Sequence, residues 1–147
     1  MTEQNAEPRV RESFARQELM STLGATLEFV GDGEVHIRLA ASPHINQQHG
    51  FTHAGAIAAI ADSACGYACW TKMPPDSEVL SVEFKVNLLA PAVGESFLAV
   101  ARVIRAGKTI AVATAEVVAC DGTAEPKLIA IMQATMMRVD ARRPASK

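Results

Sequence analysis

Three cysteines in 147 residues, Cys65, Cys69 and Cys120, are too few and too irregularly spaced for a disulfide framework. Cys65 and Cys69 are four apart, a spacing that stacks them on one helix face as small buried residues. A dominant charge is also missing. Lys and Arg number 14 against 16 Asp and Glu, a formal net charge of -2. A dedicated nucleic-acid binder carries a clear basic excess, so that class is set aside. The opening MTEQNAEPRVRESFARQELM has no apolar core segment, so no secretory leader is expected and a cytoplasmic location is.

Long hydrophobic runs are absent too. The most apolar stretch, residues 54 to 70, falls short of the ~20 residues a spanning helix needs. It also carries Asp62 at its centre, at a cost of about 2.5–3.5 kcal/mol in a bilayer. No membrane span is expected. A metal motif is equally missing. His44, His49 and His53 straddle a Gly-containing loop, with no acidic ligand cluster and no H-E-x-x-H. Neither a metal nor another cofactor is expected. There is no repeat and no linker, and the length suits one domain over residues 1–147.

What is present is an apolar half, 49% of the chain, arranged in clear periods. Residues 9–24 place Val10, Phe14, Leu19 and Leu23 near helical spacing and end in Gly24, which predicts an amphipathic N-terminal helix within a helical segment 1–24. ATLEFVGDGEVHIRLAA alternates on either side of GDG and predicts a hairpin. A long helix follows from about Thr52, a candidate N-cap, to Lys72, where MPPDS stops it. Four strands come next, within 80–88, 95–105, 108–119 and 126–139, and then a frayed tail from 140 to 147. Short turns predict these four strands to be antiparallel neighbours. In LSVEFKVNL, strict alternation puts Leu80, Val82, Phe84, Val86 and Leu88 on one face and Ser81 on the other. A helix that is apolar nearly all round must be surrounded. The fold class is therefore α+β, with one central helix wrapped by a curved antiparallel sheet.

The chemistry concentrates in QQHGFTHAGAIAAIADSACGY, residues 47–67. Asp62 is the only acidic residue of the long helix. Unpaired, it would cost several kcal/mol, so it faces a cleft, water or a buried partner such as a strand serine or an arginine. The helix start at residues 53 to 55 offers free N–H groups and the positive end of the helix dipole, which suits an oxyanion. Gly55 either permits close approach of a ligand or lets the helix pack tightly. Around Asp62 the helix carries Ala58, Ala59, Cys65, Gly66 and Cys69, all small. Trp70 and Phe51 either wall a pocket or simply pack.

Here the sequence resembles the hotdog-fold acyl-CoA thioesterases of the phenylacetate-pathway (PaaI-type) branch. Their pattern N-x-x-G-x-x-H-G-G-x(6)-D is matched by Gly50, His53, Gly55 and Asp62, while SVEFKVNLLAPAVGE and GKT at 107–109 look like further family segments. The family asparagine is Gln47 here and the first glycine after the histidine is Ala54. Glutamine keeps the carboxamide, and alanine keeps the N–H. The resemblance implies the wrapped-helix fold, an acyl-CoA substrate, and Asp62 as general base or nucleophile. It implies an oxyanion donor at Ala54 and Gly55, a positioning role for Gln47, and a water-placing role for Ser81. His53 either orients the glutamine or braces the loop. Gly50 and Phe51 would flank the substrate, and Arg102, Arg105, Lys108 and Thr109 would lie near the nucleotide.

His53 and Asp62 are nine residues apart, about 13 Å of helical rise and half a turn of phase. One chain cannot bring both to one carbonyl. A homodimer with shared sites is expected, and the resemblance implies a homotetramer. Two other classes remain: a non-catalytic acyl-CoA binder on the same fold, and an enoyl-CoA hydratase. The hydratases use a D-x-x-x-x-H arrangement that is absent here.

Overall fold

A computed structural model describes residues 5–141. Its order is α1 (Glu7–Arg16), α2 (Glu18–Leu23), β1 (Ala25–Gly31), β2 (Glu34–Ala40), a short 3-10 turn at Pro43–Ile45, α3 (Ala54–Thr71), β3 (Ser77–Leu88), β4 (Ser96–Ala106), β5 (Ile110–Cys120) and β6 (Lys127–Asp140). Six strands form one antiparallel sheet in the order β1-β2-β4-β5-β6-β3, and α3 touches every strand. This is the expected hotdog arrangement.

Small residues let the sheet close on the helix. The inner row of β5 is Ala111, Ala113, Ala115, Val117 and Ala119, all buried, and β4 adds Ala99 and Ala101. Against them α3 buries Ile57, Ile60, Ala61, Ala64 and Ala68. Alanine has the highest helix propensity, so α3 can be both thin and stable. Cys65 and Cys69 turn into this core, and burial pushes both thiols up, Cys69 to about 11. The face of α3 left open carries Ala54, Gly55, Ala58, Ala59, Asp62, Ser63 and Gly66.

Four expectations need correction. The N-terminal helix is broken at Gln17, which is extended at φ -80 and ψ 98. The N-cap of α3 is His53 rather than Thr52, whose buried N–H instead donates to Ala92 O at 3.2 Å. The last four strands are not consecutive neighbours. Residues 89–95 are a crossover, not a hairpin turn, and they carry the chain past β6 and β5, leaving β3 at the sheet edge beside β6. Asp140, expected in a frayed tail, is instead the last residue of β6; residues 142–147 and 1–4 lie outside the described residues.

The alternation of β3 is also interrupted. Pairing with β6 runs Ser81↔Met136 and then Glu83↔Thr135, so Val82 is an extra, bulged residue. Phe84, Val86 and Leu88 sit opposite the buried Ala134, Met132 and Ala130. Ser81 sits opposite buried Met136, so it shares their helix-side face instead of the opposite one. β3, an edge strand, leaves Phe84 and Leu88 exposed on the helix side and Leu80 and Val82 exposed on the opposite face.

Candidate active site

The loop before α3 is a closed miniature. Asn46 bridges Thr52, Gln47 N donates to Phe51 O at 2.8 Å, and Gly50 N donates to Gln47 O at 3.0 Å. Gly50 adopts φ 85, in the left-handed region that favours glycine. Gln47 Oε1 accepts from His49 N at 2.5 Å and Phe51 N at 3.3 Å. The carboxamide oxygen is thus spent on holding the loop, and its NH2 group is the end free to meet a ligand.

The helix start is more economical than three free N–H groups. His53 N donates to Ile45 O at 2.8 Å, and Gly55 N donates to His53 Nδ1 at 2.7 Å. Among the described residues only the Ala54 N–H of this trio has no partner. One positioned donor at the positive end of an 18-residue helix remains. His53 is therefore a helix cap with its proton on Nε2, and it does not bond Gln47. Gly55 has a third reason to be glycine. A Cβ there would lie 2.9 Å from His53 Nδ1, so the missing side chain makes room for the cap.

Asp62 sits two turns further along the same open face. Ser81 Oγ donates to Asp62 Oδ1 at 2.8 Å and lies 3.4 Å from Met136 Sδ. Burial pushes the Asp62 carboxyl above its ordinary range, and the Ser81 hydrogen bond pulls it part of the way back. No cation pairs with it among the described residues. The expectation of a strand serine as its partner holds, and the arginine alternative does not.

Two cavities separate the two groups. One, of about 410 Å³, is mainly apolar and opens beside Ala54, between Gln47, Phe51, Ile57, Leu88 and Pro91. The other, of about 170 Å³, opens beside Asp62. Its far wall holds Ser13 and Gln17 from the N-terminal segment, and Tyr67 from α3. Nothing in the sequence singles out Ser13 or Gln17, and the Tyr67 ring is buried. Trp70 does both things expected of it: it packs, buried with its Nε1 donating to Ser77 O at 2.8 Å, and it lines the cavity beside Asp62.

The basic residues divide. Arg102 bonds Glu34 at 3.1 and 3.2 Å. Arg105 and Lys108 are exposed near the β4–β5 turn, which Thr109 braces by accepting Arg138 N at 2.7 Å. No cluster of three or more His, Cys, Asp or Glu side chains able to hold a metal occurs among the described residues. No helix among them is long and apolar enough to cross a membrane.

A family model described as the thioesterase superfamily matches residues 49–125, which include the helix start and Asp62. The chain belongs to the thioesterase superfamily. A Halobacterium salinarum protein named "Putative esterase" is 32% identical over 120 residues, covering 77% of this chain and 79% of that one. The crystal structure of a thioesterase family protein from Silicibacter pomeroyi superposes with a TM-score of 0.87 at 45% identity, over 90% of this chain and 97% of that one. The E. coli PaaI protein of the phenylacetic acid degradation operon shares the fold, with a TM-score of 0.83 at 18% identity over 96% and 98% of the two chains. As a thioesterase-superfamily member the chain is a thioester hydrolase, and the Ala54 amide and Asp62 carboxylate are its candidate catalytic groups.

Proposed function

We propose that this thioesterase hydrolyses acyl-CoA in a homodimer whose sites each join Ala54 of one subunit to Asp62 of the other. The observation that carries this is the layout of α3. Its one free starting N–H and its one carboxylate are eight residues apart, about 12 Å along a rigid axis. The open face between them is lined by small residues, so a second α3 can approach closely. The exposed β3 edge lies alongside and can continue the sheet into a partner. Exposed Ile104, Ile110, Ile131 and Met137 on other strands offer a second apolar contact for a dimer of dimers, the homotetramer.

The chemistry follows from the two half-sites. Asp62 of one subunit takes a proton from a water that attacks the thioester carbon, or attacks that carbon itself. The Ala54 N–H of the other subunit holds the developing oxyanion. Collapse breaks the C–S bond and expels the CoA thiolate, which takes up a proton; where Asp62 itself attacked, a water then hydrolyses the acyl–Asp62 anhydride. Gln47 fixes the loop that carries Phe51 and the helix start, and its NH2 group positions substrate or water. Ser81 holds one Asp62 oxygen, which leaves the other for the water. His53, Gly55 and Gly50 shape the backbone that presents Ala54. Arg105 and Lys108 meet the CoA phosphates. The sheet row Ser81–Met136–Ala111–Ala106 sets their turn three strands from Ser81, about 14 Å away. Arg102 contributes less because Glu34 holds it.

Thiol release from an acyl-CoA panel tests the activity, and it separates the reading from a non-catalytic binder, which would bind without release. Single turnover in labelled water separates base from nucleophile. Label entering the Asp62 carboxylate identifies a nucleophile.

A further inference from the structure

The N-terminal segment contributes something the two half-sites do not require. Gln17 stands at the break between α1 and α2, and both ends of its carboxamide are engaged. Its Nε2 donates to Tyr67 OH at 3.3 Å, and its Oε1 accepts from Ser63 Oγ at 2.9 Å. Ser13 Oγ lies 3.1 Å from the same phenol oxygen. Arg9 pins the start of α1 to the end of α3, donating to Trp70 O, Met73 O and Pro74 O at 2.5 to 2.9 Å. The result is a built, polar wall across the cavity from Asp62.

The opposite side is deliberately empty. A Cβ on Gly66, one turn beyond Asp62, would meet nothing nearer than Met136 at 3.9 Å. The cavity's 170 Å³ corresponds to about six water-sized groups. The pantetheine arm of CoA must lead outward to the nucleotide, which leaves the acyl end as the part of the substrate that can enter it. The wall keeps hydrogen-bonding capacity in reserve, namely one Gln17 amide hydrogen and the Ser63 and Ser13 lone pairs. Glu78 also lines the cavity, so with Asp62 it presents two carboxyl groups to whatever enters.

Resting on the acyl-CoA thioesterase reading, we infer that Gln17 and Tyr67 determine acyl specificity. The cavity beside Asp62 receives the acyl end of the substrate, and it selects a compact, uncharged acyl group bearing a hydroxyl. Long chains meet the Gln17–Tyr67 wall. Acyl groups ending in a carboxylate meet Glu78 and Asp62. A hydroxyl can both donate to and accept from the wall, which an unsubstituted chain cannot.

The test is a kcat/KM profile over acetyl-, butyryl-, 3-hydroxybutyryl-, succinyl- and octanoyl-CoA for the wild type, Gln17→Ala and Gly66→Ala. Ratios between substrates cancel any loss of folded protein. The wild type is expected to favour 3-hydroxybutyryl- over butyryl-, succinyl- and octanoyl-CoA. Gln17→Ala opens the wall and is expected to raise the octanoyl/3-hydroxybutyryl ratio by about tenfold or more. Gly66→Ala fills the cavity and is expected to lower the 3-hydroxybutyryl/acetyl ratio. Ratios unchanged within about twofold in both variants would overturn the assignment. A wild-type preference for octanoyl-CoA would also overturn it, because the acyl chain would then occupy the apolar cavity beside Ala54. No thiol release from any of the five, acetyl-CoA included, would remove the thioesterase reading and this one with it. Release with an unmoved profile removes only this one.

Discussion

Ser81 on the edge strand donates its hydroxyl to Asp62 on the central helix at 2.8 Å, and this bond opposes the burial that lifts the Asp62 carboxyl. Two forces of opposite sign therefore set the pH at which the carboxylate becomes available. In Ser81→Ala only the upward one remains. The acid limb of kcat/KM, which reports the free enzyme, should move to higher pH, with the plateau less affected. A limb that stays in place would detach Ser81 from the carboxylate's titration.

Asp62→Asn should lower turnover by ~10²–10⁴ if the carboxylate is a general base. Its effect on stability has the opposite sign. A carboxyl whose folded pKa lies above its unfolded value of about 3.8 binds more protons in the native state. Its contribution is complete below that value and is lost as pH rises through the folded pKa. At neutral pH the buried charge is a cost that asparagine removes. The variant should melt above the wild type at pH 7, and the gap should shrink toward pH 4. Thermal melts across that range check this, and a variant that melts lower at neutral pH would mean the carboxylate is a net structural support.

Ala54 is the first residue of α3, and His53 before it is extended at φ -61 and ψ 137. Both conformations accept proline at position 54. Ala54→Pro therefore deletes one N–H and little else. The expected loss is about 10²–10³ in kcat, the usual cost of one oxyanion donor, with the circular dichroism spectrum preserved. Co-expressed with Asp62→Asn, it should form mixed dimers in which one site has both intact groups. Verified mixed dimers that recover no activity would sink the shared site.

Arg9→Ala should cost about 2 kcal/mol, because three carbonyls at the end of α3 lose a charged donor and Trp70 loses the guanidinium 4.6 Å from its ring centre. That corresponds to a melting temperature lower by about 4–8 °C. A shift under a degree would show that α1 is held by its apolar face alone.

Much of this was legible in the residues. Alternation, small-residue content and the stop signals at Gly24 and Pro74 mark the first hairpin, α3 and the four later strands to within a few positions. Asp62 stands out because one charge in an apolar helix needs a reason. Other features were hidden for physical reasons. The break at Gln17 has no proline or glycine to announce it. It is driven by tertiary bonds to Tyr67 and Ser63. The crossover at 89–95 has the length of a long hairpin loop, so nothing local tells it from one. That His53 and not Thr52 caps α3 depends on a ring reaching back to Gly55, where threonine is the commoner choice.

The bulge at Val82 makes strand length as consequential as side-chain identity. Pleating repeats every two residues, so the extra residue alone lets Ser81 and the Phe84–Leu88 stretch face the same helix. Deleting Val82 would leave every catalytic side chain present. It would nevertheless turn either the serine away from Asp62 or the apolar row away from α3. In this strand a change in reading length is a harsher lesion than most changes in residue.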